Sequence, residues 1–375
     1  MRHARGLLAL GGALALVAAA AGGERPEAIK MSPTHPQYWQ YDGRTVLLLG
    51  GSKEDNLFQI SDIEGHLDLL AASGGNYVRC TMSSRDEGNP WPFFFDENEG
   101  AYDLGRWNDE YWARFERLLS EASRRGIVVQ VEIWATFDFY RDNWGVNPFN
   151  PKNNSNYTAE RTKLPIEVPT HPIYRDNRFF WSQNNHQRGQ AHWDNGLRQI
   201  ERLRRANHLR PVNNVKTYGA DGGRHGGDTN EAIAKFIRSA LFGSAAVRFH
   251  RPPSGIGLSS PAQAVIRSVR DLSDRMEWFD GAPHDDLLGE REENEAYCRA
   301  LPDREYAVYF PDGGRVTLDL GGLDGDASLI WRRVLESGWS EPRAVQGGSG
   351  LPLEPPAPGH WIALVKEGGI ELSRP

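Results

Sequence analysis

The chain has 375 residues, 25% of them charged and 39% hydrophobic, with a net charge of -7 and a pI near 5.9. That length accommodates one barrel-sized domain and a smaller one. The acidic balance lacks the basic footprint that phosphate-backbone binding requires, which excludes nucleic acid from the expected partners.

Residues 1–23 read as an export signal, in which Arg2, His3 and Arg5 precede the apolar run GLLALGGALALVAAAA and its small-residue end. The run is short for a membrane span and polar sequence follows it. The mature protein is therefore expected to be secreted or periplasmic, with no membrane partner after signal removal. Cys80 lies in an apolar stretch and Cys298 far downstream. Two isolated cysteines make no disulfide framework, and whether they pair stays open.

From residue 45 to about 278 strand and helix patterns alternate. TVLLLG (45–50) suits a strand buried on both faces, and DIEGHLDLLAAS (62–73) carries apolar residues at helical spacing. A strand at GGNYVRCTM, a helix at 107–126 stopped by Gly126 and a strand at IVVQVEIW (127–134) follow. Further strands are expected at FFWSQNN (179–185), PVNNVKTY (211–218) and AAVRFH (245–250), with helices at 192–206, 230–243 and 261–278. Such alternation implies a parallel sheet, either a (β/α)8-type TIM barrel or a doubly wound one. A complete barrel needs eight strand-helix units, and six are legible. The deficit falls between residues 134 and 177, where Pro148, Pro151, Pro165, Pro169 and Pro172 break an Asn-rich stretch with no helical period. An incomplete barrel with a gap near 180 is expected over 30–280, its open edge favouring association or marginal stability. From 285 to 370 short alternating strands with Gly and Asp turns, such as GRVTLDLGG, predict a small antiparallel β-sandwich.

No cofactor or metal is expected. GGSKEDN after the first strand lacks both dinucleotide and P-loop spacing, and His171, His192 and His225 are spread too thinly for a ligand set.

NPFNPKNNSNYT, SQNNHQRGQAHWDN, NVKTYGADGG, AVRFHRP and YFPDGGRVTLDL together resemble a family of secreted bacterial proteins with a glycoside-hydrolase-type TIM barrel and a C-terminal β-sandwich, the latter of a type assigned to collagen binding. The resemblance covers roughly residues 30–370. It implies glycosidase ancestry and a carbohydrate partner, with an acid/base Glu after strand four and a second carboxylate after strand seven. This chain passes from NRFF straight to WSQNNHQ, without the strand four to five region and with no Asn-Glu pair there. Where a strand-seven Glu is expected it carries Lys216.

The residues themselves suggest the same chemistry. The stretch 127–158 ends a buried strand in carboxylates and opens into a loop of aromatics and asparagines, groups suited to sugar ring faces and hydroxyls. Glu132 and Asp221 are the candidate catalytic pair, with Asp55 a further carboxylate. The candidate substrate-binding residues are Trp134, Asp138, Tyr140, Trp144, Asn184, Asn185, His186, Lys216, Tyr218, His250 and Arg251. Bland readings compete at each: Glu132 pairing with an arginine such as Arg79, Asp138 capping a loop, Asp221 serving a turn, Arg251 bridging loops, and the tryptophans filling the core. The functional expectation is a glycoside hydrolase-like chain that acts on or binds carbohydrate at the C-terminal face of its barrel. The alternatives are a noncatalytic carbohydrate-binding scaffold or a truncated gene product.

Overall fold

The computed structural model describes residues 28–84, 86–133, 135–170, 187–223 and 227–369. Five parallel strands form its first sheet: β1 (Leu48–Gly51), β2 (Tyr77–Thr81), β3 (Val128–Glu132), β4 (Asn213–Thr217) and β5 (Ala246–Phe249). Their order in space is β3-β2-β1-β5-β4, a continuous arc of a barrel. The expected strand at 179–185 lies outside the described residues. Among the described residues the arc has five strands, an incomplete barrel as anticipated from the sequence, with β3 and β4 at its two edges.

Helices α1 (Ile63–Ala72), α2 (Asp109–Arg124), α3 (Gly189–Arg205), α4 (Thr229–Leu241) and α5 (Ser260–Arg275) cover the outer face. Several begin at residues that satisfy free backbone amides: Asp62 accepts from Gly65 N at 3.0 Å and Asp228 from Glu231 N at 2.8 Å. Period-two alternation sends Leu49, Val78, Cys80, Val247 and Phe249 outward into the helix-covered core. The same alternation turns Leu48, Tyr77 and Ala246 inward, where they pack with Trp39 and Val128.

One boundary differs from expectation. The apolar run 45–50 divides, because Arg44–Val46 belongs to an antiparallel three-stranded sheet with Lys30–Met31 and Trp39–Tyr41, and only Leu48–Gly51 enters the barrel. Gly50 is required there, since a Cβ would meet the Tyr77 carbonyl oxygen at 1.8 Å.

The C-terminal part is antiparallel throughout. A six-stranded sheet built around Tyr297–Leu301, Glu305–Phe310, Asp326–Arg333 and Trp361–Glu367 faces a three-stranded one containing Val316–Asp319 and Gly350–Leu353. Alternation again assigns the faces. Tyr297, Tyr309, Ile330 and Leu364 join the barrel's core, whereas Cys298, Val308, Leu329 and Val365 form the sandwich's own. Buried Arg299 pins the seam by donating to the carbonyls of Leu241, Trp278 and Gly281 at 2.9, 2.6 and 2.7 Å. Cys80 and Cys298 are both free thiols, each buried in a different one of these cores.

Candidate functional site

Towards the C-terminal ends of the barrel strands the inward positions become polar. Arg79 on β2 and Arg248 on β5 are 3% and 0% exposed. Buried guanidinium groups need anions and acceptors around them. Arg248 donates to Ser52 Oγ at 2.7 Å and to the Val215 carbonyl at 2.9 Å, and its Nη2 lies 3.5 Å from Asp55. Arg79 donates to Asp55 Oδ1 at 2.9 Å and pairs through its other terminal nitrogen with Glu132.

Asp55, just beyond β1, is therefore the hub. His250 Nδ1 lies 3.7 Å from it and Arg251 Nε 3.4 Å. Burial alone would raise the Asp55 carboxyl, but His250, Arg79, Arg248 and Lys216 outweigh it and hold the group well below the usual carboxylate range. Burial also pushes the His250 imidazole down to about 2, with Arg248 and Lys216 adding to the effect against Asp55, so the ring is neutral at physiological pH.

Lys216 reaches this cluster through a register irregularity. Residues 213 and 214 pair with 246 and 247, but Thr217 pairs with Phe249, so the chain bulges at 215–216. Asn214 points outward and donates to Ser239 Oγ on α4 at 2.8 Å, while Lys216 acts electrostatically on Asp55 and His250. Tyr218 is buried edge-on against His250, with ring centroids 4.8 Å apart. Thus Glu132, Lys216, Tyr218, His250 and Arg251 converge with Asp55 at one end of the arc.

Other candidates lie elsewhere. Asp221 is exposed and accepts from the Thr229 backbone amide at 3.0 Å at the start of α4, the turn role that competed with catalysis. Asp138 is fully buried, accepting from Ser83 Oγ at 2.7 Å and tying its loop to the end of β2. Half-buried Tyr140 packs edge-on against Phe137.

Trp144 has no exposed surface, and its indole N–H donates to the Pro165 carbonyl at 2.8 Å. That placement does not suit a sugar platform. The asparagines around it are likewise engaged: Asn147 donates to the Asp138 carbonyl, Asn150 to those of Trp144 and Ile166, and Asn153 to those of Gly145 and Asn147. They substitute for regular secondary structure in a Pro-broken segment, supplying the donors its carbonyls lack. Trp134, Asn184, Asn185 and His186 lie outside the described residues.

Open space adjoins the hub. A cleft of about 410 Å3 at the C-terminal side is lined by Glu54, Asn56, Gln59, Asp86, Asn89 and Arg251. Arg251 Nη1 stands 2.7 Å from Glu54 and 3.6 Å from Asp86 and so forms one wall. A larger cavity of about 670 Å3 lies at the opposite end of the strands, lined by Met31, Trp39, Leu48, Tyr77, Val128 and Asn213. It is mainly apolar and remote from the ionic cluster, so the smaller polar cleft is the better candidate. No group of three or more His, Cys, Asp or Glu side chains that could hold a metal occurs among the described residues.

The sequence reading missed Arg248, Ser52 and the Glu54–Asp86 cleft. Arg248 was accessible to it: an arginine inside AVRF, in phase with the inward positions of its strand, is not a surface residue.

Among solved structures the fold resembles a glycoside hydrolase family 5 structure from Bacteroides vulgatus ATCC 8482, at 13% identity over 92% of this chain and 95% of that one, with a TM-score of 0.62. A second structure, described as a glycoside hydrolase, matches at 12% identity over 92% of this chain and 98% of that one, with a TM-score of 0.63. The protein thus has a glycoside hydrolase-type TIM-barrel fold in incomplete form. No family model matches the chain. No curated protein matches it either.

Proposed function

We propose that this chain is an exported carbohydrate-binding protein on a glycoside-hydrolase scaffold, which holds glycan at the C-terminal face of its barrel without hydrolysing it. The observation that carries this reading is the disposition of the two expected carboxylates. Glu132 is paired with Arg79, whereas Asp221 faces solvent at the start of α4. Glycoside hydrolysis uses two carboxyl groups flanking one bond, about 5 to 5.5 Å apart for retention and about 6.5 to 9.5 Å for inversion. A carboxylate held against a guanidinium is a poor general acid, because the pairing favours its ionised form.

Binding needs less. The polar cleft beside Asp55 offers carboxylates, amides and Arg251 as acceptors and donors for hydroxyls. The glycoside hydrolase folds that resemble this chain support carbohydrate as the ligand class. Export rests on the basic and apolar pattern of residues 1–23. Titration calorimetry of the purified chain against oligosaccharides selected on a printed glycan array tests the proposal. Saturable binding weakened by Arg251→Ala is expected, and no heat with any array-selected glycan would contradict it.

A further inference from the structure

Between β2 and α2 the chain forms an antiparallel hairpin, Phe93–Asp96 paired with Ala101–Trp107, which stands on the same side of the barrel as the cleft. Trp107 is 58% exposed, an unusual placement beside tryptophans such as Trp144, Trp193 and Trp278 that are closed to solvent. Its ring is nevertheless fixed. One face stacks on Phe93, with centroids 5.5 Å apart and planes 18° from parallel, and Trp112 meets it edge-on at 5.1 Å. Phe93 is itself braced by Phe149 at 5.5 Å. A tryptophan held flat on one side and open on the other is preorganised, losing little rotamer freedom when something covers the open face.

We propose that Trp107 is a carbohydrate-stacking platform that extends the cleft, taking the apolar face of one pyranose ring of a bound glycan. The proposal rests on the carbohydrate reading above but uses different residues. The size of the exposed surface favours a sugar over a protein: 58% exposure of a tryptophan leaves roughly 150 Å2. A stable protein interface takes about 800 Å2 from each partner. Polar residues flank it in sequence, exposed Arg106 before Trp107 and half-buried Asn108 after it, and on the same strand half-buried Asp103 accepts from exposed Asn156 at 3.0 Å.

The platform is mechanically joined to the cleft. Gln59, which lines the cleft, donates to the Pro90 carbonyl at 3.2 Å, and two residues on the Pro92 carbonyl accepts from Trp112 Nε1 at 3.1 Å and from Asn108 N at 3.0 Å. A glycan engaging both would lie along this Pro90–Pro92 wall.

The test compares the full chain with Trp107→Ala, Trp107→Phe and Arg251→Ala by calorimetry against the array-selected glycan. Melting temperatures serve as the folding control, since an exposed ring contributes little to the core. Trp107→Ala is expected to weaken binding about tenfold or more, with partial recovery in Trp107→Phe. Affinity unchanged in Trp107→Ala but reduced in Arg251→Ala would overturn the platform and leave the cleft reading standing. Loss confined to Trp107→Ala, with Arg251→Ala binding as the full chain does, would overturn the proposal that the platform extends the cleft. Concentration-dependent dimerisation in sedimentation, abolished by Trp107→Ala, would assign the surface to a second copy and overturn the proposal.

Discussion

Asn213 Nδ2 donates to Gln130 Oε1 at 3.1 Å, and that bond joins the two edge strands of the arc across its interior. Gln130 is on β3 and Asn213 on β4, at opposite ends of the sheet order. The same Gln130 oxygen accepts from Tyr77 at 2.6 Å, and Asn213 Oδ1 accepts from Trp39 Nε1 at 2.9 Å. Side chains therefore draw the edges together where backbone pairing is interrupted. Asn213→Ala removes two of these bonds and leaves partners in a half-buried setting, so a loss of about 1 to 3 kcal/mol is expected. Urea unfolding at neutral pH measures it.

Asp55 faces two buried arginines, Arg79 and Arg248, of which Arg79 also pairs with Glu132. Asp55→Asn should destabilise the fold by about 3 to 5 kcal/mol, the cost of leaving buried charge without its partner. Glu54 is 43% exposed and pairs with half-buried Arg251, so Glu54→Gln should cost about 1 kcal/mol or less. Equal effects in denaturant melts would show that the hub is not where the buried charge is neutralised.

Trp144→Ala should lower stability by about 3 to 5 kcal/mol and speed proteolysis within residues 135–170, because the indole fills the centre of that segment. A tryptophan acting as a sugar platform would instead lose glycan affinity with unchanged melting. Limited proteolysis of the variant distinguishes the two.

Stability should fall as pH drops from 7.5 to 5. Burial holds His66 at about 4, His250 at about 2 and His360 at about 4, so each binds a proton more readily unfolded than folded. Each then withdraws about 2 kcal/mol by pH 5, starting below the unfolded value of about 6.5. Asp285 has the opposite sign. Burial raises it to about 6, so its folded form gains protons first and adds about 1 kcal/mol over the same interval. The histidines dominate the sum, and chemical melts at the two pH values should differ by several kcal/mol, less in His66→Asn.

Much of the barrel was legible because its strands read as apolar runs. AVRF is buried throughout, VVQVE at the arc's edge is half-buried along its length, and the polar intruders Gln130 and Arg248 are the inward positions. The hairpin carrying Trp107 was not legible, since FFFDENEGAYDLGRW shows no sustained alternation and its pairing shifts register after Phe93. The asparagine loop misled for a physical reason: amides that suit sugar hydroxyls suit backbone carbonyls equally well, and a segment broken by proline has many carbonyls to satisfy. Glu132 was recognisable as a strand-end carboxylate and Arg79 as its possible partner, and the pairing of Thr81 with Glu132 between β2 and β3 brings the two together.

The central claim is glycan binding without turnover, and the most direct test is hydrolysis of aryl glycosides and of the array-selected glycan by the purified chain. With Glu132 held by Arg79 and Asp221 in a turn, no pair of carboxyl groups flanks a glycosidic bond, so release of product no faster than in buffer is expected from the full chain and from Glu132→Gln alike. Measurable hydrolysis by the full chain that disappears in Glu132→Gln would contradict the account, showing that Glu132 leaves Arg79 to do chemistry.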